Sequence, residues 1–325
     1  MSSPRSRRAA AATLEVEVRP RWVFRMPGRG GGDRVLVVRS SIAHRLMHVG
    51  SAPVLVSAWQ PAGERVVFRA EAIDPEAIGG PALDGVPERT RATRADLALA
   101  IERMRFALAV DDDNREFCRR FRGDRLLGPL IRRRPHLRPR RRPWPWEALA
   151  WAVTEQLIES TRAAQIQRRV VRRWGRSLGA GRRVLRDVPC AAAIGGRSPA
   201  ELQSMDLAGR RAVALRAVAR DVAAGRCDLW DRDADRRLLA TPNIGPWTVQ
   251  CLGFRGRGDP DSLPAGDLAY IKLVGHLAGL GRRATVEEVE EFFAPYEPYR
   301  GIAGHFALAG LHKIVAQGPP LPLAA

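Results

Sequence analysis

The sequence has almost no lysine. Of its 54 basic residues only Lys272 and Lys313 are lysines, and the rest are arginine. An enzyme that forms a Schiff base with its substrate needs a lysine amine, so chemistry of that kind can depend on only these two positions.

Cysteine and long apolar runs are scarce as well. The four cysteines lie far apart and none forms a Cys-x-x-Cys pair, which excludes a zinc site or a disulfide framework and indicates a reducing compartment. No segment reaches the roughly 18 consecutive apolar residues of a membrane span, and the N-terminus lacks the apolar core of a signal peptide. We therefore expect a soluble cytoplasmic protein with no membrane partner.

Positive charge is abundant. There are 54 Lys and Arg against 35 Asp and Glu, a formal net charge of +19. A polyanion such as nucleic acid is the partner that this charge favours. Arginine excess can also come from coding bias, so charge alone leaves the question open.

The pattern of apolar residues divides the chain into two domains. We predict a flexible basic arm at 1–12, a small α/β domain with an antiparallel sheet at 13–110, a helical domain at 111–318 and a tail at 319–325. Alternating or β-branched residues predict strands in the first domain, and a helix at 97–110 closes it. The predicted strands include residues 14–18, 35–38, 54–56 and 66–68.

Beyond residue 111 the periodicity is helical, which predicts an all-α domain without internal repeats. Leu149, Val153 and Leu157 fall on one face of a helix that Gly175 and Gly179 should end. Ser198 and Glu201 form a capping box around a first-turn proline.

A second helix and a linker are also predicted in this domain. Leu215, Val218 and Val222 form the apolar face of a helix that Gly225 should stop. The arginine-rich segment 132–143 contains three prolines and is predicted to be a linker, either a solvated connector or a direct phosphate contact.

Residues 242–246 predict a tight turn that opens a helix. Asn243 and Gly245 tolerate positive φ, Ile244 between them anchors the turn, and Pro246 suits the first helical position. A turn of this kind presents backbone N–H groups at a helix start, which is a phosphate site.

The following segment, 253–266, has four glycines and two prolines and is predicted to be an irregular loop. Asp267 ends it and precedes an apolar run at 268–274. Taken alone, Asp267 is as well explained as an ordinary helix N-cap.

The order of hairpin, helix, Gly/Pro loop and Asp267 resembles the helix-hairpin-helix DNA glycosylase superfamily. Trp247 and the segment 146–157 (WEALAWAVTEQL) resemble the DNA-3-methyladenine glycosylase II family more closely, and 126–135, 198–229 and 296–306 fit it too. The resemblance implies an α+β protein whose mostly α-helical glycosylase domain has its hairpin motif at about 236–252.

The resemblance also implies site residues. Asp267 would be catalytic, Leu157 with Gln156 would form the wedge that fills the gap left by a flipped base, and Trp247, Tyr299 and Cys251 would line the base pocket. The residues implied to bind DNA phosphates are Asn243, Ile244, Gly245, Trp247 and Thr248. Cys251 stands where the family often has an aromatic residue, and Tyr299 where it usually has tryptophan. Leu157 and Trp247 are also explained as plain core residues.

These residues predict a monofunctional glycosylase. Trp247 occupies the position of the Schiff-base lysine, and the four-cysteine cluster of the endonuclease III branch is missing. The expected reaction is hydrolysis of the N-glycosidic bond of alkylated bases such as 3-methyladenine and 7-methylguanine.

The expected partner is double-stranded DNA with damaged bases, bound by a monomer at a bacterial nucleoid, without metal or cofactor apart from a monovalent cation left open at the hairpin carbonyls. The alternatives are a non-catalytic damage-binding or architectural protein, and a glycosylase for deaminated or oxidised bases.

Overall fold

A computed structural model describes residues 12–61, 64–81, 88, 90–179 and 181–317. The predicted tail lies outside these residues, and so does the predicted basic arm apart from residue 12. Within the described residues, no helix is long and apolar enough to cross a membrane.

The N-terminal part is a five-stranded antiparallel sheet in the order β1-β5-β4-β3-β2. Its strands are β1 Thr13–Val18, β2 Val37–Arg39, β3 Ile42–Val49, β4 Ala52–Trp59 and β5 Val66–Ala72. The predicted strands are confirmed, with shifted ends at β2. β3 was not predicted because His44, Arg45 and His48 interrupt its apolar pattern, and Arg45 is buried.

Helix α1, Arg94–Leu108, covers one face of this sheet. The alternate residues Val66, Phe68 and Ala70 of β5 are completely buried and belong to the same core as Leu97 and Met104 of α1. Alternation along the strands and 3.6-residue spacing along the helix therefore meet in one apolar layer.

The remainder is mostly helical. Its helices are α2 Arg115–Phe121, α3 Leu127–Arg133, α4 Pro145–Glu155, α5 Ser160–Trp174, α6 Ala191–Gly195, α7 Pro199–Gln203, α8 Gly209–Ala223, α9 Ala234–Leu239, α10 Pro246–Leu252, α11 Leu268–Leu277, α12 Val286–Phe293 and α13 Arg300–Gln317. The capping box of Ser198 and Glu201 is confirmed. Gly225, with φ of +69°, follows the last residues of α8 as predicted.

The prediction of an all-α second part is wrong. A small antiparallel sheet joins β6 Ile78–Gly79 to β7 Ser177–Leu178 and β8 Leu185–Arg186. Two-residue strands leave no periodicity for a sequence pattern to reveal.

The helical part has two separate hydrophobic cores. The first core contains residues of α4, α5, α8 and α10, and the second contains residues of α2, α3, α11, α12 and α13. Leu252 belongs to the first core and Phe254 to the second. The chain therefore crosses from one core to the other immediately after α10.

The helix predicted through Leu149, Val153 and Leu157 is broken. α4 ends at Glu155 and α5 begins at Ser160, so Gly175 caps α5 and not the helix of Leu149. Leu149 and Val153 are buried as predicted, whereas Leu157 has φ of +56° and lies between the two helices.

In its C-terminal half the arginine-rich linker makes intramolecular contacts, so this half is neither the solvated connector nor the direct phosphate contact that was predicted. Arg138 is buried and donates to the carbonyl oxygens of Asp112, Trp22 and Val23 at 2.5, 2.9 and 3.2 Å. Arg141 forms an ion pair with Asp112.

A buried charge cluster joins the N-terminal sheet to α4. Arg45 of β3 contacts Glu147 at 2.5 Å, and Arg142 of the linker contacts both Glu147 and Asp33, at 3.1 and 2.5 Å. Two guanidinium groups thus face two carboxylates, and Trp151 Nε1 donates to Asp33 at 2.9 Å. Because each buried charge has a partner, the loop that carries Asp33 is fixed to the helical part.

Candidate functional site

The hairpin between α9 and α10 is a turn around one left-handed residue. Asn243 has φ of +66°, which confirms the left-handed conformation expected from its residue type. Ile244 is buried and its N–H donates to Thr241 O at 3.1 Å. Pro246 is the first residue of α10, as predicted.

Gly245 does not need glycine's conformational freedom, so that part of the turn prediction is wrong. Its φ of −111° and ψ of 177° are extended values open to any residue, and a Cβ added there would meet nothing within 4 Å. The turn needs only one residue at positive φ, and Asn243 supplies it.

Two of the five residues predicted to bind DNA phosphates, Ile244 and Thr248, have buried side chains. Thr248 is 1% exposed, and its N–H and that of Val249 both point to Gly245 O. Thr248 and Ile244 therefore lie behind the turn, where a phosphate would not reach their side chains. Asn243 is exposed and Trp247 and Gly245 are half-buried, so these three stay candidates.

Leu157 projects completely into solvent. Its exposed fraction is 104% of the reference value, so the core interpretation of this leucine is wrong. Both its positive φ and its exposure are unfavourable for a leucine, and such features persist where the surrounding structure imposes them.

The wedge loop, residues 156–159, is attached to the hairpin. Gln156 Nε2 lies 2.9 Å from Asn243 O and 2.9 Å from Thr248 Oγ1. On the other side of the loop, Arg211 donates to Thr154 O at 2.9 Å and Gln167 donates to Thr154 Oγ1 at 3.0 Å. The predicted wedge residues and the hairpin are therefore one supported unit.

The wedge loop is also attached to the segment after α10. Glu155, the last residue of α4, forms an ion pair with Arg255 at 2.5 Å. Sequence patterns missed this pair, since its members lie 100 positions apart and neither has a local signal.

The Gly/Pro loop begins as a π-helical turn, Gly253–Arg257, and is not irregular from its first residue as predicted. Its glycines allow close approach: a Cβ on Gly253 would lie 2.5 Å from Ser262 Oγ, and one on Gly256 would lie 2.8 Å from Ala148 Cβ. These glycines therefore allow close packing. Composition alone cannot show whether a glycine is needed for packing or for a flexible backbone.

Asp267 caps α11. Its carboxylate accepts a hydrogen bond from Ala269 N–H at 2.9 Å, and the residue is half-buried. The preceding Gly266 lies against Trp247, whose Cβ would be 3.7 Å from a Cβ added at that glycine. The carboxylate and the tryptophan therefore lie at the same end of the loop.

Burial and the charge of Asp267 raise the pKa values of two neighbouring groups. Burial raises the pKa of Cys251 to about 12, and the Asp267 carboxylate adds to the effect. The same two causes raise the pKa of Tyr270. Cys251 is 0% exposed, so it lies beneath the site and adds no surface to it.

Trp247 contacts the Gly266 end of the Gly/Pro loop, whereas the residues that follow Tyr299 contact the middle of the loop. The indole N–H of Trp247 is buried and meets no acceptor among the described residues. The Tyr299 ring meets Phe117 and Phe121 edge-on, with centroids 5.7 and 6.4 Å apart. Burial and a hydrogen bond with Glu116 raise the pKa of Tyr299.

The loop holds the segment that carries Tyr299. Arg300 forms an ion pair with Asp261, and Ile302 N–H donates to Pro260 O at 3.0 Å. Each predicted pocket aromatic thus packs against its own neighbours, and their convergence on one base is a proposal.

A cavity of about 720 Å³ lies elsewhere. It lies beside the N-terminal end of α4, and tryptophans 144, 146, 174 and 230 form part of its wall. None of the predicted site residues lines it.

Metal and lysine chemistry have little support in the described residues. They contain no group of three or more His, Cys, Asp or Glu side chains placed to hold a metal ion. The hairpin carbonyls of Thr241 and Asn243 already accept hydrogen bonds, and a monovalent cation bound there stays a prediction. Lys272 lies on α11 beyond Asp267, and the side chain of Lys313 is outside the described part.

No model of a known protein family matches the sequence. A relative in Mycobacterium tuberculosis, named a probable bifunctional transcriptional activator/DNA repair enzyme AlkA, is 30% identical over 229 residues, covering 69% of this chain and 45% of the relative. A Bacillus subtilis DNA-3-methyladenine glycosylase is 24% identical over 200 residues, covering 60% of this chain and 66% of the relative. The chain thus spans less than half the length of the first relative.

Solved structures share the fold. A 3-methyladenine DNA glycosylase from Archaeoglobus fulgidus matches with a TM-score of 0.75 and 18% identity, covering 93% of this chain and 100% of that one. The apo 8-oxoguanine glycosylase/lyase of Clostridium acetobutylicum matches with a TM-score of 0.65 and 14% identity, covering 92% and 98%. The α+β fold is therefore that of these DNA glycosylases, and the resemblance found in the sequence is confirmed.

Proposed function

We propose that this chain is a monofunctional DNA glycosylase that hydrolyses the N-glycosidic bond of alkylated bases and leaves an abasic site. Bases of the 3-methyladenine and 7-methylguanine type are its substrates. The observation that supports this most is the fully exposed Leu157, on a loop that Gln156 joins to the hairpin. The chain acts as a monomer on double-stranded DNA in the bacterial cytoplasm.

Leu157 is suited to fill a gap in stacked DNA. Flipping a base out of the duplex costs a few kcal/mol. Moving a fully exposed leucine into the space left behind recovers roughly 1.5–3 kcal/mol of apolar burial. The Gln156 and Thr154 contacts hold the loop in place before DNA arrives, so little ordering cost is added on binding.

Trp247 and Tyr299 are the proposed walls of the pocket for the flipped base. N-alkylated purines carry positive charge, and a cation over an indole or phenol ring gains about 0.5–2 kcal/mol. This term distinguishes alkylated bases from neutral ones of similar shape.

Asp267 is the proposed catalytic residue. As the bond from the sugar to the base nitrogen breaks, its electron pair leaves with the base, and a cationic base departs neutral without needing a proton. The sugar becomes oxocarbenium-like, and the Asp267 carboxylate opposes that charge or orients the water that attacks the sugar carbon. The released proton goes to the carboxylate or to solvent.

Strand cleavage through a Schiff base has no suitable amine among the residues whose side chains are described. Trp247 stands where the resemblance places the lysine, and Lys272 is more than one turn into α11. The product is therefore an intact abasic site.

The decisive experiment incubates the purified protein with DNA treated with a methylating agent. We expect 3-methyladenine and 7-methylguanine in the supernatant, alkali-labile sites in the DNA, and no covalent complex after borohydride reduction. Release of only oxidised or deaminated bases would move the activity to another lesion class. Tight binding without base release would make the chain a damage-binding protein.

A further inference from the structure

A concave groove of about 600 Å³ lies between the N-terminal sheet and α5, apart from the proposed lesion site. Arginines from four parts of the chain line it: Arg34 before β2, Arg39 in β2, Arg168 and Arg172 in α5, and Arg186 in β8.

Four of these arginines carry positive charge that no carboxylate of the described residues neutralises. Among the described residues, Arg34, Arg168, Arg172 and Arg186 form no ion pair with a carboxylate, and Arg168 donates to the backbone of Gly32 at 2.7 Å. The one acidic residue in the lining is Asp33.

The Asp33 carboxylate is turned away from the groove. It is buried, and its oxygens accept hydrogen bonds from Arg142, Trp151 and the N–H of Val35. Although burial opposes ionisation, these partners, Arg142 first, keep the pKa of Asp33 below its usual value. Asp33 therefore anchors the wall of the groove and does not cancel its charge.

The loop that carries Arg34 has a fixed shape. A Cβ on Gly30 would lie 2.0 Å from Leu36 O, so only glycine fits this approach. Arg34 has φ of +63° and is exposed, while Asp33 and Val35 on either side are buried. Left-handed backbone costs a non-glycine residue roughly 1–2 kcal/mol, and here the two buried neighbours impose it.

Helix α5 connects the groove to the wedge. It begins at Ser160, directly after the wedge loop, and Arg168 and Arg172 follow eight and twelve residues later. At 1.5 Å per residue these arginines lie about 12 and 18 Å along the helix, one turn apart on the same face. For a duplex that runs along α5, with 3.4 Å per base pair, this is about four to five base pairs from the wedge.

We propose that this groove binds backbone phosphates of the duplex that flanks the lesion, about four to five base pairs from the wedge. The inference depends on the proposed function only in placing DNA at the wedge. Guanidinium groups bind phosphate oxygens in bidentate fashion and without regard to base sequence, which suits an enzyme that must search all sequences.

The test combines protein variants with modified DNA. Binding is measured on a 25-base-pair duplex with a central abasic-site analogue, with neutral methylphosphonates replacing phosphates four and five positions from the analogue. They are placed on one strand and one side at a time, which gives four duplexes. The variants are Arg168→Gln with Arg172→Gln, and Arg172→Gln alone. The Arg172 side chain makes no hydrogen bond among the described residues, so the single variant leaves the Gly32 contact of Arg168 intact.

We expect one placement to weaken wild-type binding about tenfold and to leave the double variant unaffected. On unmodified DNA the double variant should also bind about tenfold more weakly, with its log–log salt slope reduced by about two. The control is Arg91→Gln with Arg94→Gln, which removes the same charge from exposed arginines outside the groove and should change neither result.

Equal responses of wild type and double variant to all four placements would overturn the proposal, and so would a loss shared by every placement. Base release by the wild type is scored separately. A chain that releases no base but shows the coupling keeps the groove and loses the glycosylase assignment. A chain that releases bases without the coupling keeps the glycosylase assignment and loses the groove.

Discussion

At the scale of single residues, Asp267 has two roles that can be separated. Its carboxylate caps α11 through Ala269 N–H, and the same charge is proposed to oppose the oxocarbenium. Asparagine caps helices about as well as aspartate but has no charge.

We therefore expect Asp267→Asn to lower single-turnover base release at least about a hundredfold, as loss of an electrostatic stabiliser does. DNA affinity and the thermal midpoint should stay at wild-type values, and they serve as the internal controls. A release rate within a few-fold of wild type would remove Asp267 from the chemistry.

A substitution at Leu157 tests the wedge without changing the stability of the protein. Because its side chain makes no apolar contact to lose, Leu157→Ala should leave the thermal midpoint unchanged. Losing most of the 1.5–3 kcal/mol of burial in the duplex should slow excision from double-stranded DNA by roughly ten- to a hundredfold.

The matched control for this variant is Val213→Ala, which truncates another exposed apolar residue, 49% exposed and on α8. It should change neither rate. Equal slowing on single-stranded and double-stranded substrates would contradict the wedge, since a single strand has no gap to fill.

At the scale of elements, two positions of the hairpin allow its backbone conformation and its contact with DNA to be tested separately. Asn243 has the left-handed φ, so Asn243→Ala should lower the free energy of unfolding by about 1 kcal/mol, whereas Asn243→Gly should not. Gly245 has extended backbone and open space at its Cβ position, so Gly245→Val should fold as wild type.

If DNA lies against the turn, Gly245→Val should nevertheless weaken duplex binding, because the added side chain would fill the space that a phosphate needs. Chemical denaturation and binding titrations measure the two effects separately. Normal binding by Gly245→Val would show that the hairpin is not the anchor.

Elements were predictable from sequence where their signal is local. The capping box of Ser198 and the N-cap at Asp267 each depend on residues within three positions. The end of α4 was not predictable, because the apolar spacing of Leu149 and Val153 continues to Leu157 while the backbone turns away. Contacts that are visible only in three dimensions hold that turn, among them the pair of Glu155 and Arg255 and the hydrogen bond from Gln156 to Asn243 O.

At the scale of the whole molecule, a histidine of α13 that contacts the linker should make stability depend on pH. His305 lies with its ring nitrogen 3.1 Å from Arg138 O. Burial lowers the pKa of His305 to about 4, below its ordinary value of 6.5. The unfolded chain therefore takes up a proton near pH 6.5 that the folded protein refuses until about pH 4.

The free energy of unfolding should consequently fall as the pH is lowered from about 6.5 to 4, with His305 contributing up to about 3 kcal/mol. Denaturation curves at pH 7 and pH 4.5 measure this. His305→Gln removes the titrating group and should flatten the dependence by that amount, and an unchanged dependence would exclude His305 as its source.

The net charge predicted a polyanionic partner but not where it would bind. The most conspicuous basic segment, 132–143, places Arg138, Arg141 and Arg142 in structural contacts. The four groove arginines without carboxylate partners are dispersed from position 34 to 186 and meet only through the fold. Composition thus favours a class of partner, and topology determines the surface that we propose for it.

The crossing of the chain between the two helical cores has a consequence for the proposed base pocket. Trp247 stands on α10, which is embedded in one core, and Tyr299 packs against the other. The distance between these rings therefore depends on how the two cores pack against each other. The glycine-rich turn after Leu252 connects the two cores. If Trp247 and Tyr299 form the proposed pocket, the size of base that it accepts depends on how the two cores pack, and it can change through packing residues that never touch DNA.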